Sequence, residues 1–229
     1  MIYPSDTLMV VAKQPAPGQT KTRLCPPLTP TQAADLYTCF LQDTLDLIRA
    51  AGFQGVIGYL PEPAEPYFRH LAPDMHLTRQ CGATLGERLD HLLTEALACG
   101  ARRAVVMDSD SPTLPVEYLS LAFEGLAEAD VVLGPTRDGG YYLIGMKQPH
   151  PDLLRCVQMS TPHVLTDTLA LAEAANLNVT LLPPWYDVDT IADLQKLAPL
   201  LADKGYSDAD IANILGLNWQ RILEKTLPA

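Results

Sequence analysis

The residues Val105-Val106-Met107-Asp108-Ser109-Asp110-Ser111-Pro112 (VVMDSDSP) end an apolar run with two carboxylates one residue apart, then stop it with proline. A short apolar run with little alternation fits a strand in a sheet covered on both faces. Alternate strand residues point the same way, so Asp108 and Asp110 share a side where the chain leaves the sheet. In open parallel sheets, ligands collect beyond the carboxyl ends of the strands. Two carboxylates there suit a hard divalent cation, Mg²⁺ or Mn²⁺, which takes oxygen ligands and leaves positions for water and phosphate. The competing reading is a plain turn. Asp-Ser-Pro sequences turn unaided, with Asp110 starting an Asx turn and Asp108 solvated.

Outward from this stretch, strands alternate with helices. Thr7–Ala12, Phe53–Leu60, Met75–Arg79, Ala104–Met107, Asp130–Gly134, Tyr141–Met146 and Asn178–Leu182 read as strands. Pro30–Ala51, Thr84–Cys99, Pro115–Ala127, Pro162–Ala175 and Ile191–Ala202 read as helices. That alternation predicts an α/β domain with a largely parallel sheet. No internal repeat is evident. Residues 1–203 form the expected domain, and 204–229 a short helical C-terminal appendage suited to packing or to homodimer contact.

The 229 residues are 48% hydrophobic and 19% charged, enough for a sizeable core. A net charge of −11 disfavours nonspecific binding to nucleic acid or an anionic membrane. Any phosphate site must then be built locally. Five cysteines, an odd count without a C-x-x-C pair, argue against a disulfide framework or structural zinc and fit a reducing compartment. The start MIYPSD lacks the pattern of a signal peptide, and no apolar stretch approaches the roughly 20 residues needed to span a bilayer. A cytoplasmic protein is expected.

The loop Lys13–Arg23 (KQPAPGQTKTR) follows the first strand and gathers Lys13, Lys21 and Arg23 in an acidic chain. Gly18 permits close backbone approach. Arg offers a planar fork for phosphate oxygens and Lys a mobile charge, although a solvated basic loop has the same composition. Pro15 stands where a P-loop would have its leading Gly, so this is not a P-loop. In Asp187-Val188-Asp189-Thr190, Asp189 or Thr190 would N-cap the next helix, with Asp193 near its positive end. Alternatively, Asp189 is a remote carboxylate completing the metal site. Arg137-Asp138-Gly139-Gly140-Tyr141 carries a hairpin signal. It also offers Asp138 as a base or hydroxyl binder, with Gly139, Gly140 and Tyr141 on the acceptor side. Gln80–Arg88 holds a capping box, Thr84 with Glu87. Gln80 and Gly82 would face a nucleobase, with Arg88 close by. Ser160-Thr161-Pro162-His163 reads as a helix start with Pro at N1, and His163 as a surface or packing residue.

Taken in order, KQPAPGQTKTRL, QCGATLGERL, DSDSPTL, LGPTRDGGYYLIGM, STPHVLTDT and DVDTIADL resemble one family. It is a bacterial group of small glycosyltransferase A-type proteins, once a domain of unknown function. Its members are often labelled nucleotide-diphospho-sugar transferases or arsenosugar-biosynthesis-type glycosyltransferases. The resemblance spans about Thr7 to Leu197. It implies a Rossmann-like three-layer sandwich with a mixed, mostly parallel sheet, similar in fold to sugar nucleotidyltransferases and 2-phospho-lactate guanylyltransferase. It places Lys21 and Arg23 in a phosphate loop, Gly82 near the base, Asp110 on the metal, and Asp189 on the position of a second ligand. Asp108 stands where the family usually has Gly, and Met159 where Trp commonly precedes Ser-Thr.

The activity implied is metal-dependent glycosyl transfer from a nucleotide-diphospho-sugar to a small acceptor. The alternatives are nucleotidyl transfer from a nucleoside triphosphate to a phosphorylated small molecule, and a non-catalytic nucleotide-binding module.

Overall fold

The computed structural model describes residues 2–197. The expected appendage, 204–229, and the end of the helix expected over Ile191–Ala202 lie outside the described residues. Two compact units are distinguished among the described residues, 2–14 with 41–186, and 15–40 with 187–197.

The first unit holds a sheet of β1 (Asp6–Lys13), β2 (Gly55–Leu60), β3 (His76–Arg79), β4 (Arg103–Met107), β5 (Val131–Pro135), β6 (Tyr141–Met146) and β7 (Val179–Leu181). Their order is β3-β2-β1-β4-β6-β5-β7. All pairings are parallel except those of β6, which runs antiparallel to β4 and β5. The chain steps from β1 to β2 to β3, then returns to lay β4 on the other side of β1. This reversal is the topological switch point of an open sheet.

The helices are α1 (Pro30–Ala50), α2 (Glu65–Leu71), α3 (Leu85–Ala98), α4 (Val116–Glu128), α5 (Asp152–Arg155), α6 (Val164–Ala174) and α7 (Ile191–Gln195). Central strands are apolar on both faces because both are covered. Met9, Val56, Val106, Leu133 and Ile144 pack with Leu89, Leu92 and Leu93 of α3, Leu154 of α5 and Ala172 of α6. On the other face, a Cβ added at Gly145 would meet Val105, Val132 and Leu126 of α4, and one at Gly55 would meet Ile48 of α1. The three-layer α/β sandwich expected from the sequence is therefore present. In the second unit, Leu24, Leu28 and Ala33 form a small core with Leu36 and Ile191 packed on it.

Three elements depart from expectation. The stretches Glu65–Leu71 and Asp152–Arg155 are helical, although no helix is expected at either from sequence. Helix α6 starts at Val164 with His163 at its N-cap, so Pro162 is not its first residue. The reason is tertiary. Pro162 presents its carbonyl to Gly139, where an added Cβ would collide with that oxygen. Leu165 N donates to Gly139 O at 2.9 Å.

Candidate functional site

Strands β1 and β4 end side by side at the switch point, and Ser109 fastens the two ends. Its Oγ donates to Val11 O at 3.0 Å, and Ser109 is 4% exposed. Asp108 and Asp110 flank it, each half-buried. Asp108 Oδ1 accepts from Asp110 N at 3.0 Å. The turn considered from sequence thus exists, but Asp108 starts it rather than Asp110, and neither side chain is fully solvated. Asp108 N donates to Tyr142 O at 2.9 Å. Burial, with Tyr118 and Asp108 adding to it, pushes the Tyr142 hydroxyl well above the ordinary tyrosine range.

Gln80 sits at the next strand ends. Its Nε2 donates to Gly58 O at 2.7 Å and Ala12 O at 3.3 Å, and the residue is 7% exposed. Its amide donors therefore close off the carboxyl ends of β1 and β2. Gly82 has φ 136°, and an added Cβ would lie 2.7 Å from Glu87 Cβ. The capping box read from sequence is present. Thr84 accepts from Glu87 N, and the Glu87 carboxylate accepts from Ala83 N at 2.6 Å. Those backbone N–H groups hold the Glu87 carboxyl below its usual range. Arg88 donates from Nη1 to Ala83 O at 3.3 Å, and its Nε is buried without a hydrogen-bond partner. Lys13 ends β1 with its side chain exposed.

The turn between β5 and β6 is the expected hairpin, with a register shift at Gly134/Pro135. Asp138 is exposed, and its Oδ1 accepts from Thr136 Oγ1 at 2.5 Å and Gly140 N at 3.2 Å. Gly139 takes φ 95°, which favours glycine. Tyr141 Oη donates to Met159 Sδ at 3.9 Å, and burial pushes this hydroxyl up to about 12.

In the second unit, Lys21, Arg23 and Asp189 form one ion-paired group. Lys21 Nζ donates to Asp189 Oδ1 at 2.8 Å and to Val188 O at 2.8 Å. Arg23 Nη1 reaches Asp189 Oδ2 at 3.4 Å. Thr190, not Asp189, caps α7, in a box with Asp193. Asp189 therefore has no capping duty. Gly18 is exposed with φ 76°, and a Cβ placed on it would meet nothing within 4 Å.

Sequence reading missed Thr113, Trp185 and Tyr186 in the first unit. Trp185 Nε1 donates to Thr113 Oγ1 at 3.3 Å, and Thr113 donates to Tyr186 Oη at 3.0 Å. The adjacent aromatics in PPWYD were the available signal. A surface cavity of about 310 Å³ between Pro149–Leu153 and Leu171–Leu177 is lined by none of the candidate residues.

Among the described residues, no three or more His, Cys, Asp or Glu side chains gather as a metal cluster. No helix there is long and apolar enough to cross a membrane.

Residues 44–161 match the family described as "Uncharacterized protein conserved in bacteria (DUF2064)". No curated protein sequence matches the chain. A protein of Desulfovibrio desulfuricans G20, provisionally named a nucleotide-diphospho-sugar transferase, is 32% identical over 96% of this chain and 97% of its own, with a TM-score of 0.85. CMP:2-keto-3-deoxy-manno-octonic acid synthetase complexed with CTP shares the fold at 12% identity, covering 88% of this chain and 100% of its own, with a TM-score of 0.57. Rv0371C of Mycobacterium tuberculosis H37Rv, complexed with manganese, aligns at 19% identity over 85% of this chain and 98% of its own, with a TM-score of 0.50. The first two names fit a transferase of the nucleotidyl- or sugar-transferring kind, and none of the three carries the arsenosugar label. With the family match and the near full-length 32% identity together, the chain belongs to the DUF2064 family.

Proposed function

We propose that the protein is a divalent-metal-dependent transferase that takes its donor as a nucleotide-diphospho-sugar and passes the sugar to a small acceptor. The observation that carries this reading is the Asp108–Asp110 turn, fastened by Ser109 to β1 at the switch point. It presents two half-buried carboxylates where an open sheet receives its ligand.

The donor set suits Mg²⁺ or Mn²⁺. It is oxygen-only and small, which matches cations held by one or two carboxylates, with phosphate oxygens and water completing the shell. Asp110 would be the principal ligand and Asp108 an accessory one, its Oδ1 already accepting from Asp110 N. When bound, the metal would neutralise charge on the diphosphate. Lys21 and Arg23 would do the same from the protein side. Both engage Asp189. A diphosphate would replace Asp189 as their partner.

As the glycosidic C–O bond breaks, negative charge grows on the departing diphosphate. Cations already in place stabilise that state more than the ground state. Asp138, with Oδ1 fixed by Thr136 and Gly140, would accept the acceptor's hydroxyl proton through its other oxygen. Gln80, Gly82 and Arg88 would receive the nucleoside end, with Lys13 and Gly18 beside the phosphates.

Nucleotidyl transfer is the second reading, supported by the CTP complex of a protein that shares the fold. The same cations would then serve attack on an α-phosphate. The test is product analysis on a panel of nucleotide-sugars and nucleoside triphosphates with Mn²⁺. Nucleoside diphosphate release supports the first reading and pyrophosphate release the second. Turnover of neither overturns both.

A further inference from the structure

Trp185 and Tyr186 are adjacent in sequence and both half-buried. Their rings are stacked, centroids 5.3 Å apart and planes 25° apart, and Tyr118 meets the indole edge-on at 5.7 Å. The pair is fixed in place. Trp185 N donates to Pro135 O at 2.9 Å, and Arg137 N donates to Trp185 O at 3.2 Å. Thr113 links both side chains, accepting from the indole and donating to the phenol.

These contacts join three loops, those following β4, β5 and β7. The three strands run the same way, so the loops leave from one edge of the sheet. Thr113 lies three residues beyond Asp110, and the Trp185 backbone bridges Thr136, two residues before Asp138. Ligand sites combine a largely apolar, aromatic wall with a few convergent polar groups. A rigid aromatic surface framed by carboxylates and hydroxyls matches a molecule with an apolar face and a rim of hydroxyl donors. The base-facing candidates Gln80 and Gly82 follow β3, which lies at the opposite end of the strand order from β7.

We propose that Trp185 and Tyr186 form the acceptor platform, and that the acceptor is a pyranoside or a similarly polyhydroxylated molecule with an apolar face. This rests on the transferase reading above and names its acceptor class. Thr113 acts as a positioning residue that holds the two rings.

The chain has two tryptophans, Trp185 and Trp219, so Trp219→Phe leaves Trp185 as the sole tryptophan, read by selective indole excitation. This protein is titrated with methyl α-glucopyranoside, methyl α-mannopyranoside and methyl β-galactopyranoside, with cytidine and uridine as counter-probes. A saturable emission change is expected with at least one glycoside. It should weaken about tenfold or more, roughly 1.4 kcal/mol, in Tyr186→Ala and Thr113→Val, and persist in Thr113→Ser. The proposal is overturned if no glycoside shifts the emission, if only the nucleosides do, or if Thr113→Val and Tyr186→Ala titrate like the parent. Mn²⁺-dependent thermal stabilisation by CDP, UDP or GDP is measured on the same variants. If it persists while glycoside binding fails, the platform alone is wrong. If it is missing even in the parent, the transferase reading fails instead.

Discussion

Lys21 adopts a left-handed backbone conformation, φ 48° and ψ 41°, at the start of the 3-10 turn Thr22–Leu24. A non-glycine residue there costs on the order of 1–3 kcal/mol and persists where its surroundings over-determine it. Here the surroundings are Val188 O and Asp189, which hold a side chain only 6% exposed. Lys21→Met should therefore lower kcat/KM by about 10²–10³, the usual loss for one preorganised group facing developing charge, as steady-state kinetics would show. Tyr141 gives a pH test. Burial raises its hydroxyl to about 12, so between the unfolded value near 10 and that value the folded state keeps a proton that the unfolded state has lost. Stability is fully present below about pH 10 and falls as pH rises toward 12, by on the order of 2 kcal/mol from this group. Denaturation midpoints against pH should show a shallower alkaline loss in Tyr141→Phe. At this scale the sequence revealed what is local. Thr84 with Glu87 and Thr190 with Asp193 lie three residues apart; the first box was legible, and the second cap was narrowed to Asp189 or Thr190. Lys21 with Asp189 and Thr113 with Trp185 are separated by 168 and 72 residues, and no spacing rule links them.

Helix α3 shows how one glycine sets an element's place. A Cβ at Gly86 would collide with Leu154 O of α5, so the two helices meet there through bare backbone. Nearby, Arg155 Nε donates to the buried Asp90 Oδ2 at 2.6 Å, tying α5 to α3. Gly86→Ala forces the helices apart and should destabilise by about 1–3 kcal/mol, despite alanine's better helix propensity. Chemical denaturation would measure this. Gly139→Ala should disturb the acceptor-side turn, since both its φ of 95° and the Pro162 carbonyl exclude a side chain. A rise in KM for acceptor, with a loss of about 1–3 kcal/mol in chemical denaturation, is the expected result. Strands and long helices were legible because apolar period and length carried them. The short α2 and α5 and the true start of α6 were not. The first two are too short for a period to show, and the last is set by the loop it packs against rather than by Pro162.

For the whole molecule, a net charge of −11 makes capture of an anionic nucleotide unfavourable at long range. On the proposed function, binding would then depend on the few local cations and on the metal; composition alone says only that a phosphate site must be built locally. Where in the sheet the Asp108–Asp110 turn sits was not legible, because topology rather than spacing brings β4 beside β1. The most direct test is the thermal midpoint of the parent and of Asp110→Asn, each measured with nucleotide-sugars in the presence and absence of Mn²⁺. A ligand at 100 times its Kd stabilises by about 2.7 kcal/mol, a readable shift. The expected result is a rise in the parent that needs Mn²⁺ and nucleotide-sugar together, and no such rise in Asp110→Asn, whose unliganded midpoint matches the parent. A nucleotide-sugar that stabilises equally well without metal, or an Asp110→Asn protein that responds like the parent, would contradict it.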